Sequence, residues 1–138
     1  MFHEKNILYY RRRSKMSSFY IFVGVITMAT NALESEFQAK VVKEIRKRLP
    51  GAIVIKNDSG YLQGYPDWSV HYHGMFALLE IKRHYNSHKQ PNQDYYINQA
   101  NAEGGFGRFV HQENKDVILD EMERSFKTSR IARVSKPE

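Results

Sequence analysis

The chain has 138 residues, enough for one compact domain rather than two, and no cysteine. That excludes disulfides, thiolate nucleophiles and cysteine-based zinc sites; any metal must use carboxylate, imidazole or carbonyl ligands, and carboxylates favour hard ions such as magnesium or manganese. The formal charge of +6 is uneven: residues 1–33 carry five basic and one acidic side chain, 127–138 four and one, and 34–126 carry 12 and 13, so a nucleic-acid footprint cannot be read from the net charge of the central region.

In chain order, Arg11-Arg12-Arg13-Ser14-Lys15 precedes an apolar run from Phe19 to Ala29. The layout is like the n-region and h-region of a signal peptide, but the run is too short to span a bilayer comfortably. Convincing helical periodicity begins only after Met28. Residues 1–33 therefore read as a poorly ordered extension, and residues 1–27 as such an extension or the product of an upstream translation start rather than an export signal or interfacial anchor. No membrane association is expected.

From Glu34 to Leu49 the residues Phe37, Val41, Val42, Ile45 and Leu49 recur at the helical period, and Pro50-Gly51 stops the helix. Ala52 to Lys56 is a β-branched strand. Turn-forming residues surround Gly60 and Gly64. Residues 67–73 and 75–82 read as two strands of a hairpin turning at His73-Gly74. A polar loop covers 84–90. Pro91 suits the first turn of a helix running to about Ala102, and Phe106 to His111 is a short strand. Asn114 suits the cap of a last helix to about Phe126, with Ile118, Leu119, Met122 and Phe126 as its inner stripe. The order α-β-β-β-α-β-α predicts an α/β or α+β fold, a mixed sheet flanked by helices. The folded domain is 34–126, and 127–138 is a basic flexible tail.

Chemistry converges on the hairpin. If its turn lies between His73 and Gly74, Asp67 stands opposite Glu80, and opposite side chains lie about 4.5–5.5 Å apart. Like charges so placed destabilise a sheet unless a cation compensates. Lys82 falls on the same strand face as Glu80. The neighbours Phe76, Ala77, Leu78, Leu79 and Ile81 suit a strand covered on both faces, which argues against a merely exposed Glu-Lys pair. On the first helix, at about 100° per residue, the apolar arc starting at Phe37 spans about 140°. Glu34 falls inside it at about 60°, and Glu36 outside it at about 260°. A core-facing carboxylate is unfavourable unless paired or metal-bound, so Glu34 rather than Glu36 is the accessory candidate.

Gly64-Tyr65-Pro66-Asp67 followed by Leu79-Glu80-Ile81-Lys82 resembles the PD-(D/E)XK nuclease pattern. The surrounding frame is more specific. Glu34-Ser35-Glu36-Phe37-Gln38, Lys56-Asn57-Asp58, Gln63-Gly64, Gln90-Pro91-Asn92-Gln93 and Glu113-Asn114-Lys115 are together similar to the small phage-type VRR-NUC and Holliday-junction-resolvase-like branch. The resemblance covers residues 34–126. Tyr65 stands where a small aliphatic residue is expected, and nothing in 1–33 matches.

The resemblance implies a restriction-endonuclease-like α-β-β-β-α-β core with a C-terminal helix, and a Mg²⁺- or Mn²⁺-dependent endonuclease that hydrolyses DNA phosphodiester bonds, at branched or structured DNA. It implies metal ligation by Asp67, Glu80 and the Ile81 carbonyl, with Glu34 as an additional acid. Lys82 matches the lysine that orients water and stabilises phosphate charge, and Gln93 the glutamine of the following helix. DNA as partner, a homodimer with two centres on two strands, and a cytoplasmic location (that of the bacterial host for a phage-encoded member) follow from the same likeness. Lys56, Arg83, Lys89 and Arg108 are the DNA-contact candidates; for Lys56 a solvated strand end is an equal reading. The pairs His71/His73 and His84/His88 are set aside as metal ligands. Trp68 reads as a packing residue, while Tyr95 and Tyr96 are open to contact with DNA or a partner. The rival reading is a DNA-binding module with a decayed nuclease centre, against which the intact Asp67, Glu80 and Lys82 speak.

Overall fold

The computed structural model describes residues 2–58 and 60–134, with side chains described for 20–58 and 60–129. Its elements are α1 (Phe2–Arg48), β1 (Ile53–Lys56), β2 (Trp68–Tyr72), β3 (Met75–Ile81), α2 (Gln93–Ala102), β4 (Phe106–Val110) and α3 (Lys115–Val134). This is an α+β architecture of one four-stranded mixed sheet and three helices, in the element order read from the sequence. The chain divides into two compact units, Met1–Ser35 and Glu36–Glu138.

Within the first unit the described backbone is helical throughout. The helix expected to open at Glu34 instead begins at Phe2. No proline interrupts the sequence from Phe2 to Arg48, and Thr27 and Thr30, weak helix formers, return their hydroxyls to the carbonyls of Val23 and Ile26 at 2.9 and 2.8 Å. Tyr20, Ile21, Phe22, Val25, Ile26 and Met28 are exposed. Among the described residues no helix is long and apolar enough to cross a membrane.

In the second unit the helical phase holds. Phe37, Val41, Val42, Ile45 and Leu49 are buried, and Lys40, Lys43 and Lys47 are exposed. Gly51, at φ +86°, takes the left-handed conformation that turns the chain from α1 into β1. The sheet order is β1-β2-β3-β4, with β1–β2 and β2–β3 antiparallel and β3–β4 parallel through α2. β3 is therefore paired on both sides, and six of its seven residues are buried, which is why it reads as a nearly unbroken apolar run. The hairpin closes on His73 and Gly74, both at positive φ (50° and 77°), as a two-residue turn of right-handed strands requires. Leu119, Met122 and Phe126 of α3 complete the core.

Two boundaries and one side chain differ from expectation. Pro91 does not enter α2: Asn92 is the left-handed residue before it (φ 69°), and the helix starts at Gln93. Asn114 stands at the expected cap position immediately before Lys115, and its backbone carbonyl accepts the Ile118 N–H at 3.0 Å, but its side chain turns back, accepting from the His111 N–H at 2.8 Å and donating to the Phe109 carbonyl at 3.0 Å, so it braces the β4–α3 loop. And α3 continues past Phe126 to Val134, since no glycine or proline follows until Pro137; residues 135–138 of the expected tail lie outside the described residues.

Candidate active site

The β2–β3 register runs from Tyr72↔Met75 to Trp68↔Leu79, so the next step faces Asp67 with Glu80, as the turn arithmetic requires. The Asp67 N–H donates to Glu80 Oε2 at 3.2 Å. Glu80 is fully buried. Its other oxygen, Oε1, receives the Lys82 ammonium at 2.9 Å and the Gln93 amide at 2.7 Å. Asp67 and Lys82 are half-buried. Asp67, Glu80, Lys82 and Gln93 thus meet at one end of the hairpin.

The electrostatics of Glu80 are divided. Burial pushes its carboxyl above the usual carboxylate range, and the negative charge of Asp67 pushes the same way; the bonds from Lys82 and the Asp67 N–H oppose them without prevailing. An acid so placed is under-compensated by protein charge alone.

Each side chain has a local reason for its position. Gly64 sits at φ +80°, and a Cβ there would lie 2.1 Å from the Pro91 carbonyl oxygen. Only glycine lets the loop carrying Asp67 lie against the Pro91-Asn92 turn from which Gln93 enters the site. Gln93 is itself fixed by accepting from the Gln90 N–H at 3.0 Å. Asn57 holds the same loop from β1: its N–H donates to the Asp67 carbonyl at 2.7 Å, and its side-chain amide to the Pro66 carbonyl at 2.7 Å and the Ser69 hydroxyl at 2.8 Å.

Asp67, Glu80 and the Ile81 carbonyl offer oxygen donors of the kind a hard ion takes. Among the described residues no cluster of three or more His, Cys, Asp or Glu side chains is arranged to hold a metal. A cation between Asp67 and Glu80 would complete its shell largely with water, a habit of magnesium rather than of caged calcium. The residues present fit such an ion.

Glu34 belongs to the first unit and is half-buried, while Glu36 is exposed and pairs with Lys40 at 3.1 Å. The polar residue that the second unit's part of α1 sends into the core is Gln38, which the sequence marks only as part of a motif. It is buried, donates to the Ile81 carbonyl at 3.2 Å and accepts from the Trp68 indole at 3.3 Å. A signal for it existed: at about 100° beyond Phe37 it falls within the apolar arc.

The basic candidates scatter. Lys56 is exposed at the end of β1, with its ammonium 5.8 Å from the Trp68 ring centroid. Arg83 is half-buried beyond β3. Lys89 pairs with Asp94 at 3.2 Å and lies over Phe109. Arg108 is engaged within the fold, by Glu121 at 2.9 Å, Asn101, the Gly107 carbonyl and the Phe106 ring. His71 and His73 line a cleft at the turn end of the hairpin. His84 joins not His88 but Glu113, which also holds His111: the two imidazoles lie 3.2 and 2.9 Å from its two oxygens. Tyr96 packs edge-on against Tyr65 and Tyr95.

No protein-family model, no curated protein and no solved structure matches the chain.

Proposed function

We propose that this chain is a metal-dependent nuclease of the PD-(D/E)XK type that hydrolyses DNA phosphodiester bonds, its fold a restriction-endonuclease-like core. The observation that carries the reading is the pairing of Asp67 with a fully buried Glu80 whose other oxygen holds Lys82. Two carboxylates and a lysine at the end of a central strand are unfavourable for stability alone; they make chemical sense around a divalent cation and an anionic substrate.

Asp67, Glu80 and the Ile81 carbonyl would hold Mg²⁺ or Mn²⁺. Such an ion, when bound, supplies Lewis-acid charge neutralisation at a phosphodiester and lowers the pKa of water. The chain's own groups do the rest. Lys82 presents a positive charge where negative charge develops on phosphorus oxygens. Glu80 keeps that ammonium in position. Gln93 and the Asp67 N–H fix the two Glu80 oxygens, so the carboxylate does not reorient when substrate arrives.

By resemblance, the substrate class is branched or structured DNA, the active form a homodimer, and the location the cytoplasm. Lys56, Arg83, Lys89 and Arg108 would contact phosphate, Lys89 and Arg108 only on leaving their pairs with Asp94 and Glu121. The test is incubation with linear, single-stranded, supercoiled and four-way-junction DNA, in Mg²⁺ and in chelator, alongside Glu80→Gln. Cleavage that needs the ion and falls by orders of magnitude in the variant supports the reading. DNA binding without cleavage by the unaltered chain in Mg²⁺ would favour the rival, a binding module with a decayed centre.

A further inference from the structure

We infer that Gln38 is a positioning residue that holds the Ile81 carbonyl in the orientation a metal requires, and that Pro66 is what leaves this carbonyl to it. The inference rests on the nuclease reading above, which supplies the ion.

A two-residue hairpin closes on a hydrogen-bonded pair, here Tyr72 and Met75, and such pairs recur at every second position along the ladder. Continuing the register through Val70↔Ala77 and Trp68↔Leu79 sets Ile81 opposite Pro66. That position calls for an N–H aimed at the Ile81 carbonyl, and proline has none. The donor that reaches this oxygen comes from another element: Gln38 Nε2, at 3.2 Å.

The direction of the Gln38 amide is fixed by chemistry. Trp68 Nε1 only donates and the Ile81 carbonyl only accepts, so a flipped amide would set donor against donor and acceptor against acceptor. The chain of bonds runs one way, from indole to amide to carbonyl. It ties α1, β2 and β3 together immediately beside Glu80. A side-chain amide takes one lone pair of the carbonyl oxygen and leaves the other free. A ladder bond from residue 66 would compete for that oxygen from the strand side, where Asp67 stands.

The test uses the full chain and reads the Mg²⁺ concentration for half-maximal cleavage separately from the rate at saturating Mg²⁺, with the Mg²⁺-induced rise in melting temperature as a readout independent of activity. Gln38→Met keeps the length of the side chain and removes both bonds. It is expected to raise the half-saturating Mg²⁺ about tenfold, the lower end for groups that support a metal ligand, with the saturated rate nearly preserved. Pro66→Ala, which restores a donor to the strand, should raise it too. In the double variant the two shifts should not add, because both act on one oxygen. Trp68→Phe, which leaves α1 unaltered, should give a smaller shift in the same direction and serves if Gln38→Met does not fold. A folded Gln38→Met, or in its place Trp68→Phe, with unchanged half-saturation overturns the inference while leaving the nuclease reading intact. A loss of rate that saturating Mg²⁺ does not restore also overturns it, by showing a role other than metal placement. An unaltered chain that neither needs nor binds a divalent ion removes both.

Discussion

Replacing Asp67 by asparagine separates charge repulsion from metal binding, because the two act on stability with opposite sign. In chelator the variant loses a like charge facing the buried Glu80. Opposite side chains stand about 5 Å apart, and at an effective dielectric of about 20 the repulsion is roughly 3 kcal/mol. Asp67 is half-exposed, so solvent screening brings the expected gain to about 1–2 kcal/mol. In a unit of about 100 residues, each kcal/mol moves the melting temperature by about 4–8 °C. Without metal, Asp67→Asn should therefore melt higher than the unaltered chain at neutral pH.

That advantage depends on pH through Glu80. Its folded pKa is raised above the unfolded value, so the folded state holds the proton more tightly. The metal-free chain is then most stable below the unfolded value and loses that stability as pH rises through the raised one. Acidification into the carboxylate range should shrink the difference between the two proteins. Mg²⁺ should invert it. At a concentration 100 times its dissociation constant, a ligand bound only by the folded state adds about 2.7 kcal/mol. The unaltered chain should gain this and the variant little of it, so the order of melting reverses. Thermal denaturation followed by circular dichroism, at two pH values with chelator and with Mg²⁺, reads all four conditions. An equal rise of both proteins in Mg²⁺, or a variant that melts no higher in chelator at pH 7, would refute the argument.

Three further outcomes are expected. Gly64→Ala should lower the melting temperature and reduce activity together, because its Cβ meets backbone at Pro91 and pushes the Asp67 loop away from Gln93; wild-type behaviour would mean the turn yields freely. Glu36→Gln, which breaks only an exposed pair with Lys40, should change Mg²⁺-dependent cleavage little; a loss of roughly tenfold or more, about 1.4 kcal/mol of transition-state stabilisation, would contradict the helical phase. Deleting Ser129 to Glu138 spares Leu119, Met122 and Phe126 and should weaken DNA binding while reducing its salt slope by about one for each phosphate no longer neutralised, a result that filter binding across a salt series would check.

What was legible in the sequence follows from what is periodic. The register of Asp67 against Glu80 depends only on where a two-residue turn falls, and His73-Gly74 marks it. The buried face of α1 depends only on phase, and Phe37, Val41, Ile45 and Leu49 keep it. The extents of α1 and α3 were not legible because both continue where the sequence lacks a stop rather than where it supplies an apolar stripe. The start of α2 was hidden for a different reason: Pro91 is a good first helical residue in isolation, but the packing of Gly64 on the Pro91-Asn92 turn decides the local conformation. His84 and His111 meet through Glu113, whose two partners lie 29 and 2 residues away in sequence, a juxtaposition made by the parallel β3–β4 pairing.

Gln38 shows most plainly where reading by periodicity stops. Its phase was computable, yet an amide on an apolar arc carries no charge to raise the question of a partner, and its two partners lie 43 and 30 residues away. The need for it is written elsewhere, in Pro66. A proline at the end of β2 removes a donor from the ladder, and a buried carbonyl left without one must be satisfied from another element. Asking which backbone group each proline leaves unbonded would have pointed to Ile81, and from there to the side chain that α1 directs at it. On the proposed nuclease reading, the proline of the Gly64-Tyr65-Pro66-Asp67 run is tied to the acid beside it: one residue would supply a carboxylate to the metal, and the preceding one leaves a carbonyl free of the sheet for the same ion.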